Sequence, residues 1–404
     1  SSSSAASDVY KRQVEIKGLL LCLSFLFLTI AACPAYCEFI NIGVILPLSG
    51  KLESLGEAEK QSFLMALDEI NAAGGVKGIK LRLIIEDTAG EVEKGRQAMK
   101  KLIEQDSVIA VTGGCSSTVS WAASEEAQQS GIPFLVSTAS ADRITEKGWE
   151  YVFRLSQPSS ERLDILSSFI SKAAPVKTAA IIFERSVGRY GADNFLRLCR
   201  KMGIDVVIKE YYSGHTVDLE RFLKRVETEK PDLAYLIPDE KDISIFMQDI
   251  RWLAIKPKLI VLHSGNLKLH TMEQGSEGFI EHICTTSLWP PSLPYPGARE
   301  FHNRFLSAYG SHADYHAAQA YASMYVIYDA LKRADVLTPE YVRDALSLTD
   351  TMTVYGPVRF ISYGRKNQQN RLPIFLLQWI NGTFETVWPE ELATSRYVYP
   401  MPGI

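Results

Sequence analysis

The sequence has little cysteine and no surplus of positive charge. Six cysteines occur in 404 residues. Only Cys115, Cys199 and Cys284 lie beyond the N-terminal segment, and their scattered spacing fits neither a dense disulfide framework nor a zinc site. Buried free thiols are the simpler expectation, although spacing alone does not settle whether two of them pair. A net charge of −4, with no basic run, lacks the electrostatic footprint of a nucleic-acid binder. There is no phosphate loop, no nucleophile elbow and no metal-spaced Cys/His cluster. The nearest approach is His312-Ala-Asp-Tyr-His316, two histidines four apart that would share a face if helical. It lacks the glutamate that a zinc-protease helix carries after its first histidine. No catalytic residue, metal or cofactor is expected.

Long apolar runs are also scarce. The one present, Gly18 to Ala32, follows Lys11, Arg12 and Lys17 and ends in small residues, the layout of an export signal. It is short for a membrane span. Two cleavage readings stand open: Ile30-Ala31-Ala32-Cys33 resembles a lipobox, which would place a lipid on Cys33, whereas Ala35-Tyr36-Cys37 before Glu38 suits ordinary signal peptidase. Residues before Lys11 are Ser/Ala-rich without an initiator Met and read as upstream or non-native sequence. Residues 1–37 are therefore set aside, and the remainder is expected to be extracytoplasmic.

What remains is long enough for two domains. From Phe39 the pattern alternates: Ile40–Leu46 reads as a strand, Phe63, Ala66, Leu67 and Ile70 as a helix face, Leu81–Ile85 as a strand, Ala98, Leu102 and Ile103 as a helix, Val108–Val111 as a strand. Such βαβαβ order predicts a parallel sheet covered on both faces, with ligands bound beyond the carboxyl ends of its strands. After Tyr151–Arg154 the rhythm restarts with strands at Thr178–Phe183, Asp205–Ile208, Leu233–Ile237 and Lys258–Leu262. A second, similar domain is expected. The run Trp289-Pro-Pro-Ser-Leu-Pro-Tyr-Pro296 suits a crossing between the two, because proline removes donors and fixes φ. A strong helix through Tyr321, Met324, Tyr328 and Leu331 follows, then short strands near Val358–Phe360 and Ile374–Gln378.

The most telling stretch is residues 107–140. One apolar strand runs into Gly113-Gly114-Cys115-Ser116-Ser117, and another ends in Ser137-Thr138-Ala139-Ser140. Adjacent strand ends of this kind gather hydroxyls and unpaired backbone N–H groups where helices begin, which is a place for an anion.

Several stretches together resemble a known family. They are Ile42-Gly-Val-Ile-Leu-Pro-Leu-Ser-Gly50, Ala66-Leu-Asp-Glu-Ile-Asn-Ala-Ala-Gly-Gly-Val-Lys-Gly78, Gly113-Gly-Cys-Ser-Ser117, Gly131-Ile-Pro133, Phe153-Arg154, Arg189-Tyr-Gly191, Pro231-Asp232 and Tyr355-Gly-Pro-Val-Arg-Phe360. In this order and at these separations, the chain resembles the type I periplasmic binding proteins, in the leucine/isoleucine/valine-binding branch that serves ABC importers. The resemblance implies an α/β fold of two doubly wound parallel-sheet lobes joined by three crossover segments. Lobe 1 would comprise 39–154 and 291–352, lobe 2 would comprise 155–290 and 353–390, and 391–404 would form a tail. The crossings would fall near Arg154-Leu155, Trp289-Pro290 and Met352-Thr353. A small-molecule ligand would lie between the lobes, hinge closure would favour the bound state, and an ABC permease would recognise a monomer in that state.

The same resemblance implies site residues. Ser116 matches the serine that holds a ligand carboxylate, although Ser116 or Ser117 would equally N-cap the following helix. Ala139 and Ser140 lie where the family holds the ligand's polar end, with the register open among Ser137, Thr138, Ala139 and Ser140. Tyr190 matches an aromatic of the second lobe that covers the ligand. Departures are equally informative. Ser159 and Ser264 occupy positions where an amino-acid binder offers an acid to the ammonium group, and Leu55 replaces an aromatic. An unpaired buried ammonium would cost several kcal/mol, so either Asp239 substitutes or the ligand lacks an amine. The leading expectation is a substrate-binding protein for an amino acid or a related carboxylate or amide. The alternative is a ligand-binding sensor subunit of the amide- or urea-sensing kind.

Overall fold

A computed structural model describes residues 39–185, 188–213, 219–239, 242–251, 257–263 and 281–402. The leader with Cys33, and Ser264, lie outside the described residues.

The first lobe starts with β1 (Ile40–Leu46), α1 (Glu53–Ala72), β2 (Leu81–Asp87), α2 (Val92–Glu104), β3 (Ala110–Gly113), α3 (Ser117–Ser130), β4 (Phe134–Val136) and β5 (Val152–Arg154). The chain then builds α4 (Asp164–Lys172), β6 (Thr178–Glu184), α5 (Arg189–Met202), β7 (Asp205–Tyr212), α6 (Glu220–Glu229), β8 (Leu233–Ile237), α7 (Ile243–Arg251), β9 (Leu259–Leu262) and β10 (Cys284–Ser287). It returns through α8 (Ala298–Tyr309), α9 (Tyr315–Arg333) and α10 (Pro339–Ser347) to β11 (Asp350–Thr353), β12 (Gly356–Tyr363) and β13 (Lys366–Asn370). It ends with β14 (Phe375–Ile380) and β15 (Thr383–Trp388).

Two sheets result, ordered β11-β12-β13-β5-β4-β3-β1-β2 and β15-β14-β10-β9-β8-β6-β7. Their parallel cores share one plan. In each, the first strand of the lobe sits between the second and the third, so successive connections leave it in opposite directions and open a crevice at the carboxyl ends. This is the two-lobed type I arrangement. The edges differ from an all-parallel sheet: β11 and β12 pair antiparallel, as do β12 and β13, and β14 runs antiparallel to both β10 and β15.

The placement of 353–390 wholly in lobe 2 is corrected by the pairing. Strands β12 and β13 belong to the first sheet, where Gln369 stands opposite Arg154. The cause is polar as well as steric. Arg154 is fully buried, and its Nε donates to Gln369 Oε1 at 2.6 Å while the Gln369 amide donates to the Ser156 carbonyl at 2.8 Å. The third crossing therefore follows Asn370. Strand β10, Cys-Thr-Thr-Ser, was not anticipated, since only its first residue is apolar. It is nevertheless fully buried as the fifth strand of the second core.

Helix α1 shows how sequence sets packing. Its buried positions Gly56, Glu59, Phe63, Ala66 and Ile70 recur at three- and four-residue spacing on one face, which meets α9 and the first sheet.

Candidate functional site

The first-lobe wall of the crevice begins where β3 ends. Gly113 and Gly114 both have positive φ (97° and 82°). A Cβ at Gly113 would stand 2.4 Å from the Ile45 carbonyl oxygen, so only glycine permits the turn that releases the chain at the strand end. Ser116 follows as the N-cap residue of α3, yet its side chain makes no capping bond. Its Oγ lies 3.2 Å from Thr118 Oγ1 instead. The plain capping role is thus not what Ser116 does, and its hydroxyl stays at the mouth, half-buried, beside the first N–H groups of the helix.

Ser117 has a different duty. Its Oγ accepts the Ala141 N–H at 3.2 Å, which ties α3 to the loop after β4. In that loop the Ser137 N–H donates to the Gly113 carbonyl at 2.8 Å and the Ala139 N–H to the Gly114 carbonyl at 3.0 Å. Ser137 is fully buried, and its hydroxyl donates to the Gly113 carbonyl at 2.9 Å and faces Glu59. Ala139 is buried against the core, with its N–H spent. Ser140 remains half-exposed, and its carbonyl accepts the Ser159 N–H at 2.8 Å.

Beneath both loops lies Glu59, with none of its surface exposed. Its carboxylate accepts Thr138 Oγ1 at 2.8 Å and Ser137 Oγ at 3.3 Å, and the Cys115 thiol is bonded to it. Burial pushes its pKa up to about 7, with His316 and the Thr138 bond opposing the shift. The Cys115 thiol is raised in turn, by burial first and then by the Glu59 charge. One acid on α1 thus holds the undersides of the two loops that form the mouth.

Across the crevice a chain of hydroxyls connects the lobes. Ser159 Oγ donates to Asp142 Oδ2 at 2.8 Å and lies 2.8 Å from Tyr190 Oη. Asp142 also takes the Ser160 N–H at 3.1 Å and pairs with Lys366 Nζ at 3.0 Å. Burial alone would raise its carboxyl, but the Ser160 and Ser159 hydroxyls and Lys366 together hold it below the usual range. Tyr190, at the start of α5, is 56% exposed and faces Ser159 as the second lobe's contribution. Arg154 braces the same region from inside, donating to the Ala141 carbonyl at 2.5 Å and to Thr145 Oγ1 at 3.0 Å.

Other expected residues fall as follows. Leu55 is half-buried in the first turn of α1. Asp239 follows the carboxyl end of β8, where its N–H donates to Tyr212 Oη at 3.0 Å, and Tyr212 in turn donates to the buried Asp242 at 2.9 Å. The two histidines do not share a helical face. His312 lies in the loop before α9 with its Nδ1 3.0 Å from His302 Nε2, whereas His316 Nδ1 faces Asp314 Oδ2 at 3.3 Å. Among the described residues no group of three or more His, Cys, Asp or Glu could hold a metal ion. Cys115, Cys199 and Cys284 are free thiols.

Four residues of this region were missed by sequence reasoning. Glu59 and Asp142 hold the mouth. His263, beyond β9, lies 2.7 Å through Nδ1 from Tyr235 Oη and is pushed down to about 4 by burial and then by Arg162. Arg162, between the lobes, is bonded to Tyr315. Only Glu59 left a trace, as an acid at a core-facing helical position.

Comparison with known proteins agrees with this architecture. The profile of the periplasmic binding protein family matches residues 40–383. The Leu/Ile/Val-binding protein homolog 7 of Brucella suis biovar 1 (strain 1330) is 28% identical over 400 residues, covering 94% of this chain and 99% of the relative. The Leu/Ile/Val-binding protein homolog 8 of Brucella abortus (strain 2308) is 27% identical over 377 residues, covering 88% and 92%. Among solved structures, the branched-chain amino acid transporter substrate-binding protein LivJ of Streptococcus pneumoniae, in complex with isoleucine, superposes with a TM-score of 0.72 at 23% identity. It covers 90% of this chain and 100% of that one. A solute-binding protein of an ABC transporter from R. palustris, in complex with benzoate, gives 0.70 at 20% identity over 91% and 99%. Two sheets of the same strand plan, a crevice at their carboxyl ends and a profile match over most of the chain lead to one conclusion: this chain belongs to the periplasmic binding protein family.

Proposed function

We propose that the chain is the extracytoplasmic substrate-binding subunit of an ABC importer, holding an amino acid or a related small carboxylate or amide between its lobes. The observation that carries this reading is the mouth at Ser116, where a half-buried hydroxyl that makes no capping bond stands beside the first N–H groups of α3. A ligand carboxylate would accept from Ser116 and the α3 N-terminus. Ser117 and Ser140 would frame it, and Tyr190 would close over it on hinge motion. Asp239 would line the second-lobe side. The protein would perform no chemistry. It would work as a monomer, exported either with a lipid on Cys33 or free after ordinary cleavage, and an inner-membrane permease would take the closed form. Among the described residues no helix is long and apolar enough to cross a membrane. Differential scanning fluorimetry against amino acids, organic acids and amides tests the reading, because a ligand that binds only the folded state raises the transition by mass action. A rise with at least one small carboxylate or amide is expected, and a flat response across the panel would sink the proposal.

A further inference from the structure

Among the described residues Glu59 is a fully buried acid without an ion-pair partner. Its oxygens meet hydroxyls instead, Thr138 Oγ1 at 2.8 Å and Ser137 Oγ at 3.3 Å. Ser137 has one hydroxyl proton, and the Gly113 carbonyl, which can only accept, lies nearer to it at 2.9 Å. An ionised Glu59 competes with that carbonyl for a single hydrogen, whereas a protonated Glu59 supplies the second hydrogen itself. Burial acts in the same direction and lifts the acid to about 7. The other titratable groups facing it are the Cys115 thiol, from the turn after β3, and His316 and Asp314, from the start of α9. The last two lie 3.3 Å apart and are engaged with each other.

The residues that Glu59 grips are the ones that lace the mouth together. The Ser137 N–H and hydroxyl both end on the Gly113 carbonyl, and the Ala139 N–H ends on that of Gly114. The loop after β4 is thereby fastened to the turn that leads into Ser116. From this placement we infer that Glu59 is the positioning residue of the mouth and works in its protonated form, so that a carboxylate ligand binds together with a proton. The inference rests on the proposed binding function and adds a proton to its ligand. A carboxylate seated on Ser116 and the N-terminus of α3 brings a negative charge over the loops whose undersides Glu59 holds. Two like charges in so poorly screened a setting repel, and protonation of the buried one removes the repulsion. The effect is reciprocal: the ligand strengthens the hold of Glu59 on its proton by the same factor as the proton strengthens the hold on the ligand. Affinity should be full below about pH 7 and fall as Glu59 ionises above it.

Isothermal titration calorimetry of the whole protein with leucine and with 4-methylpentanoate tests this. From about pH 6 to about pH 8.5 the wild-type affinity should fall about fivefold or more. At about pH 7.5 the heat should vary with the ionisation enthalpy of the buffer in the sense of proton uptake. Glu59→Gln, neutral at every pH, should flatten the profile and abolish the uptake, and His316→Gln should keep both. A level wild-type profile without uptake would overturn the inference and leave the binding function standing. So would uptake that survives in Glu59→Gln or disappears in His316→Gln alone. Should Glu59→Gln fail to fold, the other two titrations decide: uptake retained in His316→Gln supports Glu59, and uptake absent from the wild type overturns it. If neither probe binds, the same titrations use the carboxylate that raises the transition most in fluorimetry. Binding of amides alone would overturn the inference, and binding of nothing in the panel would overturn the binding function with it.

Discussion

The two walls of the crevice are built differently. On the first lobe, each loop of the mouth is fixed from below and from the side: Glu59 takes Ser137 and Thr138, Arg154 takes the Ala141 carbonyl, and Ser117 takes the Ala141 N–H. On the second lobe, Tyr190 projects more than half exposed and makes a single hydroxyl contact, with Ser159, which in turn donates to Asp142 of the first lobe. A wall whose donors are held in place before the ligand arrives costs little ordering on binding. A wall held by one contact can swing. The first lobe therefore reads as the anchor and the second as the jaw, and the comparison can be broken at four points.

The largest effect should come from Arg154→Met. It leaves the buried Gln369 and Thr145 side chains and the Ala141 carbonyl without their donor, so stability should fall by about 3 kcal/mol, read as a lower urea midpoint, and ligand binding should weaken with it. Next is Ser116→Ala. Because its hydroxyl makes no capping bond, stability should hardly change, while affinity for a carboxylate ligand should drop about tenfold with loss of a charge-assisted bond. A loss of stability without loss of affinity would return Ser116 to the role of a cap.

Glu59 gives a pH signature. Its folded pKa is raised to about 7 from 4.5, so between those values the folded form keeps a proton that the unfolded chain has released. Its contribution is therefore fully present below about pH 4.5 and is lost as pH rises through about 7. Glu59→Gln should remove that component, so thermal midpoints of variant and wild type should diverge between pH 5 and pH 8, with the variant losing less. Parallel curves would mean that Glu59 does not titrate there. The smallest effect is expected from Tyr190→Phe, which deletes the contact to Ser159 and little else. A few-fold faster ligand release, with an unchanged melting temperature, would mark Tyr190 as part of the jaw.

Much of the fold was legible because alternating apolar runs and helix faces have strong periods. The strands from Ile40 to Leu262 follow from them. What escaped was polar. Thr285, Thr286 and Ser287 form a buried strand because Thr285 Oγ1 finds the Leu262 carbonyl at 2.9 Å, a partner no local pattern reveals. The membership of β12 and β13 depends on a buried arginine 215 positions from its glutamine. At the mouth, glycine and serine at strand ends pointed to Ser116, but composition could not show that Ser137 turns inward while Ser116 stays out. Glu59 is a buried anchor two residues from the partly exposed Glu57; only packing separates them. Arg162 and Asp142 gain their meaning from neighbours far along the chain.

Hydrogen–deuterium exchange with and without the ligand that fluorimetry identifies tests the central claim most directly. Binding between an anchored wall and a moving one predicts protection at 113–118 and 139–141 in the first lobe together with 188–191 in the second. Protection confined to the outer face around Tyr321 and Tyr328, with those segments unchanged, would contradict it.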